Sequence, residues 1–217
     1  MYLISIISYG LELEKFSLSQ SEKRDLRKSM REQLGIPQNH IVIASAGRLE
    51  PQKAQIDLVK AAKIICSHNQ NITFVLAGEG SLKAELKDLI ASLKLEDRFL
   101  LPGFMSNITN LLCATDIFTM SSLFEGLCYA VVEAAAMSIP VVATAVGGMC
   151  YSVADGETGI LVEPGNYEEL ANKLNWVINN PEVAKIMGEK GREHFLKLFT
   201  VERMVADTEA LYSKLTN

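Results

Sequence analysis

The sequence contains no C-x-x-C pair, no G-x-S-x-G, no H-E-x-x-H and no D-x-D. It also lacks G-x-G-x-x-G and G-x-x-x-x-G-K-[ST]. These absences remove the usual handles for a hydrolase elbow, a metal site, a dinucleotide fingerprint and a P-loop. No apolar run approaches the ~20 residues that cross a bilayer. Positive charge is not in excess either: the net charge of −5 disfavours a nucleic-acid partner and a polybasic membrane anchor. The opening Met1 to Ile7 is apolar but has no basic flank and no small-residue cleavage site, so it is not read as a signal peptide. Cys66, Cys113, Cys128 and Cys150 lie far apart, mostly in apolar runs, and read as reduced, buried thiols of a cytoplasmic protein. His40, His68 and His194 are isolated at element ends and read as satisfied or solvated side chains.

What is present is an ordinary globular composition, 48% hydrophobic and 22% charged over 217 residues, enough for one large domain with helical appendages. Short apolar runs predict strands at 41–46, 72–77, 98–101, 116–120, 141–143 and 159–162, with a further strand or linker end at 3–8. Helical patterns fall between them at 55–67, 82–93, 108–113 and from the Gly126 turn to Met137. All-apolar strands alternating with helices predict a parallel sheet covered on both faces, a Rossmann-like doubly wound α/β layer. A first helix is expected at 22–34, stopped by Gly35, with its basic residues on a solvated face. Helices at 167–178, 181–195 and 201–215 close the chain, the second with Asn180 as its cap and Pro181 at its first position. The expected division is a linker segment at 1–20, the Rossmann-like domain at 21–198 and a C-terminal helix at 199–217.

The chain is organised around Ser121 to Ala134, a strand end, a polar turn and a helix start carrying Glu125 and Glu133 with seven residues between them. In α/β proteins such a turn lies at the carboxyl edge of the sheet, where ligands bind, and it presents free helix amides. Glu133 stands in Ala130-Val-Val-Glu-Ala-Ala-Ala136, so its carboxylate is partly buried and needs a partner. Vicinal hydroxyls of a ligand would serve, since a carboxylate can accept from both. Arg48 and Lys53 follow the strand at 41–46 and are placed to bind phosphate, or else are solvated surface cations. Gly78-Glu79-Gly80 and Gly147-Gly148 also follow strands. They either cradle phosphate with backbone amides or supply tight turns.

The ordered set is specific: Gly47-Arg48-Leu49 with Lys53, Ala77-Gly78-Glu79-Gly80, Leu101-Pro102-Gly103-Phe104, Ser122-x-x-Glu125-Gly126, Glu133-Ala134, Gly147-Gly148, and Asp155-Gly156 through Pro164-Gly165. It resembles the C-terminal, donor-binding domain of family-4, GT-B-fold retaining glycosyltransferases, over about residues 9 to 198. The resemblance implies a nucleotide-sugar donor, with no cofactor and no metal. Arg48 and Lys53 would hold the diphosphate. Glu125, with the amides of Gly126, Leu127 and Cys128, would engage the donor sugar and the transition state around its anomeric carbon, and Ser122 would be among the donor-binding residues. Glu133 would bind the ribose, and Gly47, Gly78, Glu79 and Met105 would complete the donor pocket. Ala54 stands where the family commonly has glycine, Cys128 where it has a small residue or proline, and Cys150-Tyr151 where it often has Pro-Glu.

The resemblance also implies an N-terminal acceptor-binding domain, in another segment or a separate subunit, to which any peripheral membrane contact would belong. This chain alone is then expected to bind donor and to transfer little. The competing readings are a non-catalytic nucleotide-sugar-binding or regulatory half-enzyme, an epimerase or phosphorylase domain of similar fold, and a plain ligand-binding domain.

Overall fold

The computed structural model describes residues 5–216. Six strands, β1 (Ile41–Ala46), β2 (Ile72–Ala77), β3 (Phe99–Gly103), β4 (Ile117–Met120), β5 (Val141–Thr144) and β6 (Gly159–Val162), form one sheet in the order β3-β2-β1-β4-β5-β6. Every pairing is parallel. This is the doubly wound arrangement expected from the sequence. Its order reverses between β1 and β4, and that switch opens a crevice at the strands' carboxyl ends.

Alternation along each strand feeds two cores. Val42, Ala44 and Ala46 of β1 join one cluster and Ile43 the other. Helices α1 (Gln20–Gln33), α4 (Ile108–Ala114) and α5 (Tyr129–Ala136) cover the first face. Helices α2 (Gln55–His68), α3 (Lys83–Ser92) and α7 (Tyr167–Asn179) cover the second. The α2 face Leu58, Val59, Ala62 and Ile65 is fully buried, and each of its larger side chains contributes about 1.5–3 kcal/mol. Helices α6 (Met149–Ser152), α8 (Pro181–Leu198) and α9 (Val201–Thr216) complete the chain, and α9 contributes no buried residue. No helix among the described residues is long and apolar enough to cross a membrane.

Four local expectations are corrected. Of the strand or linker end expected at 3–8, Leu3 and Ile4 lie outside the described residues, and residues 5–8 form no strand, which leaves the linker alternative. The chain pairs later instead. Leu11 bridges Thr200 in parallel, with Leu11 N–H donating to Phe199 O at 2.8 Å and Val201 N–H to Leu11 O at 3.3 Å. Gly10 makes this approach feasible, because a Cβ there would sit 2.4 Å from Thr200 O. Asn180 and Pro181 hold the cap and first positions of α8 as expected, but the Asn180 side chain makes no capping bond and donates instead to Trp176 O at 2.7 Å. Cys150 is exposed rather than buried, since α6 turns it outward.

The fourth correction concerns α1. Its start is fixed by Ser19 and Glu22, which exchange hydrogen bonds as a capping box. Its basic residues do not all face solvent: Arg31 is 0% exposed. The guanidinium donates to the carbonyls of Gln38, His40 and Ala114 and pairs with Asp116 Oδ2 at 2.7 Å. Arg27 holds the other carboxylate oxygen at 2.7 Å, and Val42 N–H donates to Oδ2. One arginine therefore ties α1 to the amino ends of β1 and β4.

Candidate active site

The crevice between the carboxyl ends of β1 and β4 holds a cavity of about 570 Å³. Gly47, Arg48, Lys53, Gly78, Glu79, Met105, Glu125, Leu127, Cys128 and Glu133 all line it, drawn from the loops after β1, β2, β3 and β4. Ser122 and Gly126 do not line it, although both belong to the turn that shapes it. Phe104, 74% exposed, and Ile108 extend Met105 into an apolar shelf. Tyr129 and Ala130 also face the cavity, and sequence reasoning missed them. Their signal was their place in the first turn of the helix after Cys128.

Two loops meet here. Ser121 Oγ lies 3.0 Å from the carbonyls of both Lys53 and Ala54, Leu123 N–H donates to Gln52 O, and Gln52 Nε2 donates to Phe124 O. Ala54 has φ 47, so the position where the resemblance expects glycine is indeed left-handed, between the turn Pro51–Lys53 and α2. Lys53 Nζ pairs with Glu125 Oε1 at 2.5 Å, and both side chains are largely buried. Arg48 is exposed, and its guanidinium makes no hydrogen bond or ion pair among the described residues. Its carbonyl is held by Gln55 Nε2 at 2.7 Å.

The amides of Gly126, Leu127 and Cys128, leading into α5, have no acceptor among the described residues. The glycine pairs serve differently. Gly78 N–H is spent on Gly103 O and Gly148 N–H on Glu125 O, so these two amides are already engaged within the protein. Gly147 (φ 47) and Gly148 instead press onto the turn: a Cβ would lie 2.0 Å from Glu125 O and 1.9 Å from Gly126 O respectively. Cys150 and Tyr151 point elsewhere. The Tyr151 ring meets Phe199 edge-on and its carbonyl meets His194 Nε2 at 3.0 Å. Burial, then the Glu125 carboxylate, push the Cys128 thiol up to about 11, so it is a neutral wall group.

The carboxylate of Glu133, the fifth residue of α5, makes no hydrogen bond or ion pair among the described residues. Burial pushes its carboxyl up to about 7, and the Lys15 ammonium draws it partly back. A carboxyl whose folded value lies above its ordinary 4.5 keeps its proton more tightly when folded. Stability is therefore lost as pH rises from about 4.5 to about 7. Glu133→Gln should raise stability at pH 8 by on the order of 2 kcal/mol, discounted for partial exposure, or about 5 °C. At pH 4.5 the gain should vanish. Thermal melts at both pH values check this, and an equal shift at the two would rule the account out.

An unpaired arginine, a lysine, free amides at a helix start, an unpartnered carboxylate and an apolar shelf thus face one cleft. The model of the family described as "Glycosyl transferases group 1" matches residues 27–194. The chain belongs to that family. Among curated relatives it is 32% identical over 212 residues to the Escherichia coli UDP-Gal:alpha-D-GlcNAc-diphosphoundecaprenol alpha-1,3-galactosyltransferase, covering 96% of this chain and 54% of that protein. Among solved structures it is similar to Anabaena HepE in complex with UDP-glucose, with a TM-score of 0.84 and 28% identity over 94% of this chain and 56% of that one. The C-terminal domain of a glycosyl transferase group 1 protein from Francisella tularensis shares the fold, with a TM-score of 0.78 at 24% identity, over 88% of this chain and 100% of that domain. The chain spans about half the length of the curated relatives it matches. Its fold is that of the C-terminal half of a GT-B glycosyltransferase.

Proposed function

We propose that this chain binds a nucleoside diphosphate sugar in the β1/β4 cleft. With an acceptor-binding domain, it supports metal-independent transfer of the sugar with retention, as family-4 enzymes do. The observation that carries the reading is the convergence of Arg48, Lys53, the free amides before α5 and the unpartnered carboxylate of Glu133 on one cleft. The UDP-glucose complex of the Anabaena relative supports it further.

Arg48 grips diphosphate oxygens through paired N–H groups, and Lys53 adds a point charge. As the bond to the sugar breaks, negative charge grows on the leaving diphosphate. Two cations and oriented amides stabilise it without reorganising. Glu133 accepts from the ribose hydroxyls, and the base lies against Met105 and Phe104. The acceptor attacks from the face the leaving group departs.

Isothermal titration with UDP, GDP, ADP and their sugars tests the reading. Binding of at least one diphosphate is expected, and Arg48→Ala should weaken it about tenfold or more, the loss of a charge-assisted contact. Transfer should require the acceptor-binding domain to be supplied. Absence of heat with every nucleotide at high concentration of folded protein would overturn the donor-site reading.

A further inference from the structure

The position of the Lys53 ammonium is set from inside the domain, by two hydroxyls that never reach the cleft. Ser122, at the carboxyl end of β4, is 0% exposed, and Thr144, at the end of β5, is 2% exposed. Neither lines the cavity. Thr144 Oγ1 donates to the Ser122 carbonyl at 2.6 Å. Ser122 Oγ donates to Glu125 Oε1 at 2.6 Å, the same oxygen that receives Lys53 Nζ at 2.5 Å.

The direction of this chain follows from its chemistry. Each hydroxyl has one proton to give, a carboxylate can only accept, and an ammonium has three protons. Thr144 therefore fixes the Ser122 backbone, Ser122 fixes the Glu125 oxygen, and that oxygen takes one ammonium proton. Two ammonium protons are left for the cleft. A lysine head on a flexible four-carbon stem is otherwise free among many rotamers. Here the stem is tethered at a carboxylate whose own rotamer is locked by a buried donor.

We propose that Ser122 and Thr144 are positioning residues for the diphosphate grip. Acting through Glu125, they hold Lys53 aimed at the phosphate farthest from the ribose. The proposal rests on the nucleotide-sugar reading of the cleft, in which Glu133 marks the ribose end. The Lys15 ammonium acts on Glu133, whereas Lys53 is engaged at Glu125. Glu125 is then first the anchor of a cation, and Ser122 acts on the donor only at second hand.

The test compares diphosphate with monophosphate binding. Isothermal titration of the full chain uses UDP and UMP, GDP and GMP, and ADP and AMP, taking the pair that wild type binds best. In Ser122→Ala the preference for diphosphate over monophosphate should fall about tenfold, with monophosphate affinity nearly kept. Thr144→Val should shift the preference in the same direction by a smaller factor, and it carries the test if Ser122→Ala does not fold. A purely structural role would weaken both ligands equally and leave their ratio alone, and that result overturns the proposal. If wild type binds none of the diphosphates, the nucleotide-sugar reading itself fails and the positioning role falls with it. A wild type that binds them, beside variants of unaltered preference, overturns the positioning role alone.

Discussion

Replacing Arg31 with alanine is expected to lower stability by about 3–5 kcal/mol, close to the whole margin of many domains. The loss has three parts. The carbonyls of Gln38 and His40 lose their guanidinium donor and that of Ala114 keeps only a long contact with Arg27, Asp116 is left with Arg27 and the Val42 amide, and a fully buried side chain leaves a cavity behind. Thermal melting should fall by roughly 10 °C or more. Arg27→Ala is the internal comparison. It removes a half-exposed partner of the same carboxylate, and should cost no more than about 1 kcal/mol. Urea titrations of the two variants decide the matter. Equal, small losses would mean that the buried guanidinium does not tie α1 to the sheet.

The second large effect is expected at Gly148. In Gly148→Ala the new methyl carbon meets Gly126 O at 1.9 Å and Gly126 C at 2.7 Å. Both are backbone atoms, so no side chain can swing aside, and the turn holding Glu125 to Cys128 must move. The amides before α5 and the carboxylate that anchors Lys53 move with it. Nucleotide affinity should fall at least about tenfold, since displacement by an ångström undoes several oriented contacts together. The same chemical change at Gly191, inside α8, meets nothing nearer than 3.5 Å. There it should stabilise by up to about 1 kcal/mol, as alanine does in a helix, and leave binding alone. Calorimetry on both variants checks the contrast. Retained affinity in Gly148→Ala would show that the glycine pair does not shape the donor turn.

These two positions also mark what sequence could and could not reveal. The strands were legible because a parallel sheet buried on both faces leaves continuous apolar runs such as Ile72–Ala77. Glu133 was legible because a carboxylate among alanines and valines has nowhere inexpensive to go. Arg31 was not, because its spacing of four from Arg27 looks like any solvated helix face. Its partner Asp116 lies 85 residues away. The ion pair of Glu125 with Lys53, 72 residues apart, was hidden for the same reason. Gly147-Gly148 reads in sequence as a phosphate cradle or a turn, and its close approach to the carbonyls of Glu125 and Gly126 was hidden there.

The pairing of the first and last segments bears on how force would enter this domain. Residues 10–11 and 199–201 are fastened side by side through two backbone hydrogen bonds and the contact of Gly10 N–H with Met204 Sδ. Nothing in that fastening involves a strand of the sheet. A pull on the segment before Gly10 is therefore shared between α9, through this fastening, and the cavity wall, through the edge-on packing of Tyr9 on Tyr129.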